Sequence, residues 1–204
     1  MKQLRSYINI RKGKSTIEAT NDTIYKIVKA ELDRLGHDAD LNHIDVSRVT
    51  DMYSLFSCTN MDFGTKYKDM NPDVSGWDVS NVQNMTRMFK ECSNFNCDLS
   101  QWDVSNVENM RCMFYRCRNF NQSLSEWIVS KVEDMNAMFC YCDKFNQDLS
   151  QWDVSNVKDM KYMFYYCEKL NQDFSKWDVS NVESILNMFE GCTIKEEFKP
   201  KFKK

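Results

Sequence analysis

The sequence predicts an α/β repeat solenoid, in which each 25-residue turn contains a short parallel strand and a short helix. Three observations support this prediction. One 25-residue pattern occurs five times in register and once more, in altered form, before them. Glycine and proline are scarce, with 5 and 2 of 204 residues, whereas methionine and phenylalanine each occur 13 times. Such a chain has few loop-forming residues and many bulky apolar side chains, so we expect it to be compact and ordered.

The repeat is most visible in its invariant positions. The five tryptophans recur at a constant 25-residue spacing, at Trp77, Trp102, Trp127, Trp152 and Trp177. Other apolar residues recur at the same spacing, starting from Val79, Met88, Phe89 and Cys92. The cleanest copy, residues 149–173, reads LSQWDVSNVKDMKYMFYYCEKLNQD. A period of roughly 20–50 residues is typical of repeat architectures, in which each unit covers the apolar face of its neighbour.

Each part of the unit has its own local signal. LSQWDV is predicted to be the strand, because its apolar and polar residues nearly alternate. Ser155 follows as a preferred helix N-cap, and in four of the turns Glu or Gln stands three residues after the equivalent serine, which is the spacing of a capping box. One apolar face of a short helix is then predicted from Val157, Met160, Met163 and Phe164. Equivalent strands should lie side by side, ~4.8 Å apart.

The chain is predicted to have three parts: an N-terminal capping region at residues 1–43, a six-turn solenoid at 44–192 and a basic C-terminal tail at 193–204. The first turn, residues 44–58, is degenerate, and an insertion at residues 61–72 separates it from the next turn. Residues 21–36 have apolar side chains at helical spacing and end in Gly36, so we expect a helix there. That helix would cover an open end of the array.

The motif WDVSNVxxMxxMFxxC, followed by FNQDLS, resembles the bacterial surface-protein repeat of about 25 residues known from mycoplasma lipoproteins. It is similar, more distantly, to the BspA-type leucine-rich repeat. The resemblance covers residues 44–192. It implies a leucine-rich-repeat-like fold and a role in recognition without general enzymatic activity. Much of that family is exported or lipid-anchored, whereas the residues after Met1 have neither the apolar run of a signal peptide nor a lipid-attachment cysteine.

Charge and cysteine content indicate the kind of partner and the compartment. The net charge of −3 combines +5 in residues 1–14 and +3 in residues 195–204, which leaves −11 for residues 15–194. Because that acidic body would repel polyanions, we do not expect a nucleic-acid partner. No segment approaches the ~20 apolar residues of a membrane span. Nine cysteines cannot all pair internally. We therefore expect a cytoplasmic, reduced protein; the family resemblance implies the cell surface as the alternative.

Two columns of equivalent residues raise the question of metal binding. The first contains Cys92, Cys117, Cys142, Cys167 and Cys192. Thiols in a line do not converge on one point as tetrahedral zinc requires, so packing is predicted, with disulfides or a metal as alternatives. The second contains Asp78, Asp103, Asp153 and Asp178 and is interrupted by Ile128. We expect these carboxylates to face solvent or accept local hydrogen bonds, with calcium as the alternative. Cys97, Cys112 and Cys140 lie outside the column and are expected to be exposed and reactive.

Catalysis is not expected, and neither is a cofactor or a metal. The two histidines, His37 and His43, lie outside the repeats and form no metal-binding or nucleophile pattern. The chain has no glycine-rich phosphate loop. Carboxylates recur with the repeat, which favours a structural role over one tuned catalytic pair.

The positions that the repeat leaves variable provide the candidate site. The candidate partner-binding residues are Tyr115, Arg116, Tyr141, Tyr162, Tyr165 and Tyr166. Tyrosine and arginine are favoured interface anchors; in the alternative interpretation, one column of rings packs against the neighbouring turn. We therefore predict a non-enzymatic module that binds another protein. The alternative function is a cell-surface adhesin or lipoprotein-type recognition module.

Overall fold

The computed structural model describes residues 8–11, 14–59 and 64–202. Its regular elements are β1 (Ile8–Arg11), β2 (Lys14–Glu18), α1 (Ile24–Leu35) and β3 (Ile44–Asp45), with two 3-10 helices at Gly64–Tyr67 and Glu196–Phe198. Strand β1 pairs antiparallel with β2, and β2 pairs parallel with β3. The basic residues 1–7 and residues 61–63 of the insertion, both singled out in the sequence, lie outside the described residues.

Helix α1 forms inside the segment where a helix was expected. Of the apolar positions in that segment, four are buried, namely Ile24, Ile27, Val28 and Leu32, whereas Leu35 is exposed. The helix ends before Gly36, whose φ of 95° is accessible to glycine at little cost. The N–H of Gly36 donates to the carbonyl of Leu32 at 2.9 Å, as is common at a helix C-terminus.

The expectation of a leucine-rich-repeat-like solenoid with a strand and a helix in each turn is wrong. Among the described residues after β3, the chain forms neither an α-helix nor an extended strand. The segment expected to be a helix instead has two residues with positive φ in each full repeat, for example Arg87 at 59° and Glu91 at 66°. A right-handed helix cannot contain such residues.

Backbone hydrogen bonds between successive repeats replace the expected helix. The N–H groups of Met85, Arg87, Phe89 and Glu91 donate to carbonyls of the following repeat, at 2.7–2.9 Å. Intervening N–H groups, such as that of Met88, donate to the carbonyl three residues earlier in the same repeat. Alternate peptides therefore serve stacking and tight turns, so none of them remains for the i to i−4 bonds of an α-helix.

This arrangement recurs through the whole array. We number the stacked repeats as turns 1 to 6, according to their hydrogen-bonded segments at residues 51–58, 84–91, 109–116, 134–141, 159–166 and 184–191. In turns 1 to 5, four alternate N–H groups of the segment donate to carbonyls of the next turn, whereas the N–H of the residue just before a segment, for example Glu108 or Glu133, donates to the previous turn. Most donors between turns are thus directed to the C-terminal end of the stack.

The segment expected to be a strand also has a different structure. The Asp153 carboxylate accepts hydrogen bonds from the backbone N–H of Ser155 at 3.1 Å and from its hydroxyl at 2.6 Å. The N–H of Trp152 donates to the carbonyl of Leu149, three residues earlier. The aspartate and serine therefore form an Asx turn, and the serine caps no helix. The capping-box interpretation is wrong for the same reason.

The invariant apolar residues form one continuous core. Successive rings of the phenylalanine column, Phe56, Phe89, Phe114, Phe139, Phe164 and Phe189, stack with centroids 5.3–5.7 Å apart. Each tryptophan is buried, and its indole N–H donates to a carbonyl of the preceding repeat at 2.9–3.1 Å. A buried indole needs such a partner. Packing and hydrogen bonding thus account for the invariant positions.

Candidate partner-binding site

The cysteine column belongs to the core, as predicted. The Sγ atoms of Cys92, Cys117, Cys142, Cys167 and Cys192 each donate to the phenylalanine carbonyl of the preceding turn, at 2.9–3.1 Å. Burial raises the pKa of these thiols above its ordinary value. Within the described ranges, no cluster of three or more His, Cys, Asp or Glu side chains could hold a metal ion.

The cysteines outside the column are less accessible than expected. Cys140 is buried, with 4% of its surface exposed, so the prediction of an exposed thiol is wrong there. Cys97 and Cys112 are half-buried. Burial raises the pKa of Cys140 to about 12 and that of Cys97 to about 11. Because the thiolate is the nucleophile, neither group is activated at neutral pH.

The aspartate column accepts local hydrogen bonds, which is one of the two arrangements expected for it. Each of Asp78, Asp103, Asp153 and Asp178 accepts the backbone N–H of the serine two residues later, at 3.0–3.1 Å. Side-chain and backbone hydrogen bonds from Ser105 lower the pKa of Asp103. Ile128, which interrupts the column, is 62% exposed.

The structure brings the six candidate residues together on one surface. We call them the tyrosine cluster: Tyr115, Arg116, Tyr141, Tyr162, Tyr165 and Tyr166. Tyr141 is at its centre, edge-to-face with Tyr115 at 6.3 Å and with Tyr165 at 5.5 Å between ring centroids. Tyr166 stacks on Tyr141 at 5.4 Å, and Tyr162 meets Tyr165 edge-to-face at 5.5 Å. These are the geometries that aromatic pairs favour.

Arginine and lysine side chains complete this surface. The guanidinium carbon of Arg116 lies 5.3 Å from the Tyr115 ring centroid and 5.4 Å from that of Tyr141. The Nζ of Lys90 lies 5.4 Å from the Tyr115 centroid. Cation–π contacts of this kind contribute about 0.5–1 kcal/mol at exposed sites. Lys90 is not among the candidate residues named from the sequence; its position 25 residues before Tyr115, in the same place of the repeat, was the signal for this contact.

The rings of the cluster are only partly used for packing. Tyr166 is 38% exposed, and the other four tyrosines are half-buried. Burial raises the pKa of Tyr115. A Cβ atom on Gly191 would lie 2.8 Å from the Tyr166 ring, so the glycine of turn 6 makes room for that ring. Tyr166 therefore contacts the next turn and also presents a face to solvent.

Three of the tyrosines also have an unfavourable backbone conformation. Tyr141, Tyr162 and Tyr166 have φ values of 55–58°. This region is uncommon for bulky residues, and the equivalent position to Tyr166 in turn 6 is a glycine. Positive φ recurs at the equivalent positions of every full repeat, for example at Arg87 and Glu91, so this conformation belongs to the repeat and does not by itself mark the tyrosines as functional.

A buried acid near the N-terminus was not recognised from the sequence. Glu31 of α1 is 2% exposed and pairs with Arg34 and with His43, whose Nε2 lies 2.9 Å from Oε2. Desolvation raises the pKa of Glu31, but hydrogen bonds from Arg34 and His43 outweigh it, so the net shift is downward. The helical spacing of Glu31 and Arg34 was the available signal. We attribute a structural role to this group because it ties α1 to β3.

The fold and the cluster together define a repeat protein of stacked 25-residue turns that displays an aromatic and cationic surface. The chain belongs to the family described as Mycoplasma protein of unknown function, DUF285, whose model matches residues 29–139 and 122–200. This match confirms the resemblance to the mycoplasma-type repeat. No curated protein and no solved structure matches the chain. In the part of the chain that the structure describes, no helix has the length and apolarity to cross a bilayer.

Proposed function

We propose that this protein is a non-enzymatic interaction module that captures a partner protein through the tyrosine cluster. The observation that carries the proposal is the convergence of five tyrosines and one arginine, taken from turns 3 to 5, on one surface. Tyrosine offers a large amphipathic contact area and has few torsions to immobilise. Ring–ring and cation–π contacts already restrain these side chains, which reduces the entropy lost when a partner binds.

We also propose that the protein is not an enzyme. The residues that most suggest chemistry have structural partners: the column cysteines bond to carbonyls, and the column aspartates close Asx turns. Their hydrogen-bonding capacity is directed to the neighbouring backbone rather than to a cleft. A surface with restrained aromatic side chains is better suited to recognition than to proton transfer.

We propose that the protein acts in a reducing compartment, the cytoplasm. All nine cysteines are free, and the Sγ atoms of Cys58 and Cys92 lie only 3.5 Å apart. Thiols this close are expected to oxidise in an exported protein. Alkylation of the endogenous protein followed by mass spectrometry should find nine free thiols. A Cys58–Cys92 disulfide, together with recovery in the surface fraction, would favour the cell-surface recognition module instead.

Affinity capture from native lysate tests the proposed site. The bait variants are the triple replacement Tyr115→Ala, Tyr141→Ala and Tyr165→Ala, and the single replacement Arg116→Gln. Tyr53→Ala is the matched control, because Tyr53 is 51% exposed and lies outside the cluster. We expect the wild type and the control to capture the same partner. The triple variant should bind that purified partner more weakly by at least about tenfold, as expected for interface anchors.

The unfolding midpoint of each bait separates binding from packing. If the triple variant unfolds under assay conditions, the rings act mainly in packing, and Arg116→Gln becomes the deciding variant because its side chain is 46% exposed. Equal partner affinity of wild type and Arg116→Gln, together with collapse of the triple variant, would refute the site. Reduced affinity at an unchanged midpoint would support it.

A further inference from the structure

The last turn of the stack has a row of backbone N–H groups for which the described residues provide no hydrogen-bond acceptor. In turns 1 to 5, four alternate N–H groups donate to carbonyls of the following turn. The equivalent groups of turn 6 belong to Ile185, Asn187, Phe189 and Gly191. Among the residues that the structure describes, none of these four groups donates a backbone hydrogen bond. Such an edge is a template for pairing with another chain.

Apolar side chains flank this edge. Ile185 is 37% exposed, whereas its equivalent in turn 5, Met160, is fully buried. Leu186 is 53% exposed. In turns 2 to 5 its position holds a polar or charged residue: Thr86, Arg111, Asn136 and Lys161. An added segment would cover the exposed half of this leucine, which no following turn covers among the described residues.

The C-terminal tail forms one wall of a groove along the edge. The N–H of Phe174 donates to the carbonyl of Phe198 at 2.8 Å, which anchors the tail. Pro200 and Phe202 then border a groove of about 330 Å³, and Ile185 and Phe189 form its other side. The described part of the tail thus borders the groove but accepts no backbone hydrogen bond from the four N–H groups of turn 6.

The five interfaces inside the chain define what fits this edge. In all five, the accepting segment turns four alternate carbonyls toward the donors. In the four interfaces whose accepting segment is turn 2, 3, 4 or 5, that segment also buries apolar side chains at a spacing of three residues. A second turn 6 does not meet this requirement, since two donor rows facing each other would leave buried N–H groups unpaired.

The N-terminal end of a second copy is a poor fit as well. In turn 1, Met52 and Leu55 are already buried. They line a groove together with Ile24 and Tyr25 of α1. Head-to-tail stacking of two copies would therefore have to displace α1. A different chain can satisfy the edge without this cost.

We propose that turn 6 is a docking edge for a segment of a different protein chain that adopts the tight-turn conformation of a further repeat. That segment has alternate carbonyls free on one side and apolar residues at three-residue spacing, as a further 25-residue unit of this type does. The backbone hydrogen bonds provide affinity, and the groove beside Phe189 selects the apolar side chain, as in other strand-addition interfaces. This edge is separate from the tyrosine cluster in its chemistry, because it binds through main-chain donors.

Amide hydrogen exchange on the full chain, followed by NMR, tests the proposal. The probe is a synthetic peptide with the sequence of residues 149–173 and Cys167→Ser. Without peptide, the amides of Ile185, Asn187 and Phe189 should exchange about a hundredfold faster than their equivalents in turn 5, which are bonded to turn 6. With saturating peptide, we expect them to slow by about tenfold or more. A peptide that also has Met160→Asp and Met163→Asp should give no protection.

Two protein variants provide matched controls. Leu186→Lys should weaken peptide binding roughly tenfold, because one leucine side chain is no longer buried. Tyr53→Lys changes the same repeat position at the opposite end, at a similar exposure of 51%, and should leave peptide binding unchanged. Both variants should keep the wild-type unfolding midpoint.

Three results would overturn the proposal. The first is unchanged exchange of the turn 6 amides at the highest soluble concentration of the peptide. The second is protection at turn 1 instead of turn 6. The third is self-association of the chain in light scattering with these amides protected in the absence of peptide, which would make a second copy the occupant.

Discussion

Replacing Phe139 with alanine removes a fully buried ring from the middle of the phenylalanine column. The Phe139 centroid lies 5.6 Å from those of Phe114 and Phe164, and 4.2 Å from that of Phe145. The ring therefore packs against both neighbouring turns and against its own turn. A phenylalanine-to-alanine change in a core costs about 3–5 kcal/mol. We place Phe139→Ala in the upper part of that range, at about 4–5 kcal/mol, because stacked aromatic contacts are lost as well.

Phe189→Ala is the matched comparison at the open end of the same column. Phe189 is half-buried, and its ring stacks on that of Phe164 in the preceding turn at 5.7 Å and on that of Phe174 at 6.1 Å. Its replacement by alanine should lower the free energy of unfolding by about 2 kcal/mol, because the ring buries roughly half as much apolar surface as that of Phe139. Urea unfolding followed by tryptophan fluorescence measures both free energies, and the m-value checks that the transition remains cooperative. Equal losses of unfolding free energy for the two variants, or a larger loss for Phe189→Ala, would contradict a stack in which Phe139 has a neighbouring turn on both sides and Phe189 on one side.

Three further predictions concern a tryptophan, a cysteine and an aspartate of the repeat. Trp152→Phe should lower the free energy of unfolding by about 1–3 kcal/mol in urea titration, because the Leu124 carbonyl loses the indole donor at 2.9 Å. Alkylation of the native protein should modify half-buried Cys97 well before buried Cys142, and denaturant should remove the difference. Hydrogen bonds from Ser105 lower the pKa of Asp103 in the folded protein. The contribution of Asp103 to the free energy of unfolding is therefore present above the unfolded pKa and is lost as the pH falls through the folded pKa. Asp103→Asn, which keeps the acceptor, should reduce this acid sensitivity in urea titrations at pH 7 and about pH 3.

Much of the organisation could be predicted from the sequence. The 25-residue register indicated which residues are equivalent, and those residues do lie over one another in the structure. The packing role of Cys92 and its equivalents followed from that register, since a column cannot converge on one metal. The stripe from Ile24 to Leu32 predicted α1 because a helical period is a local signal. The proximity of the tyrosines also followed from the register, before any ring geometry was known.

The conformation of each turn could not be predicted, for physical reasons. Apolar residues three apart, as at Met85 and Met88, fit one face of a helix and also fit successive tight turns. The hydrogen bonds that decide between them join residues of different repeats and have no local signal. In a sequence, glycine is the usual sign of a position with positive φ, but these positions hold residues such as Arg87 and Ala137. Ser155 favours helix caps and Asx turns alike, and here the preceding Asp153 decided the outcome.

The sign of the stability change in Ala137→Gly tests most directly whether each turn has this alternating, left-handed backbone. Ala137 has a φ of 54°, and its N–H donates to the carbonyl of Lys161 at 2.8 Å. A left-handed conformation costs an alanine about 1–2 kcal/mol, whereas burial of the Ala137 methyl group contributes less than about 1 kcal/mol in the opposite direction, so glycine should raise the free energy of unfolding by roughly 0.5–1 kcal/mol. In a helix the same change would lower it by about 1 kcal/mol. Stabilisation in urea titration supports the stacked turns described above, and destabilisation by about 1 kcal/mol would contradict them.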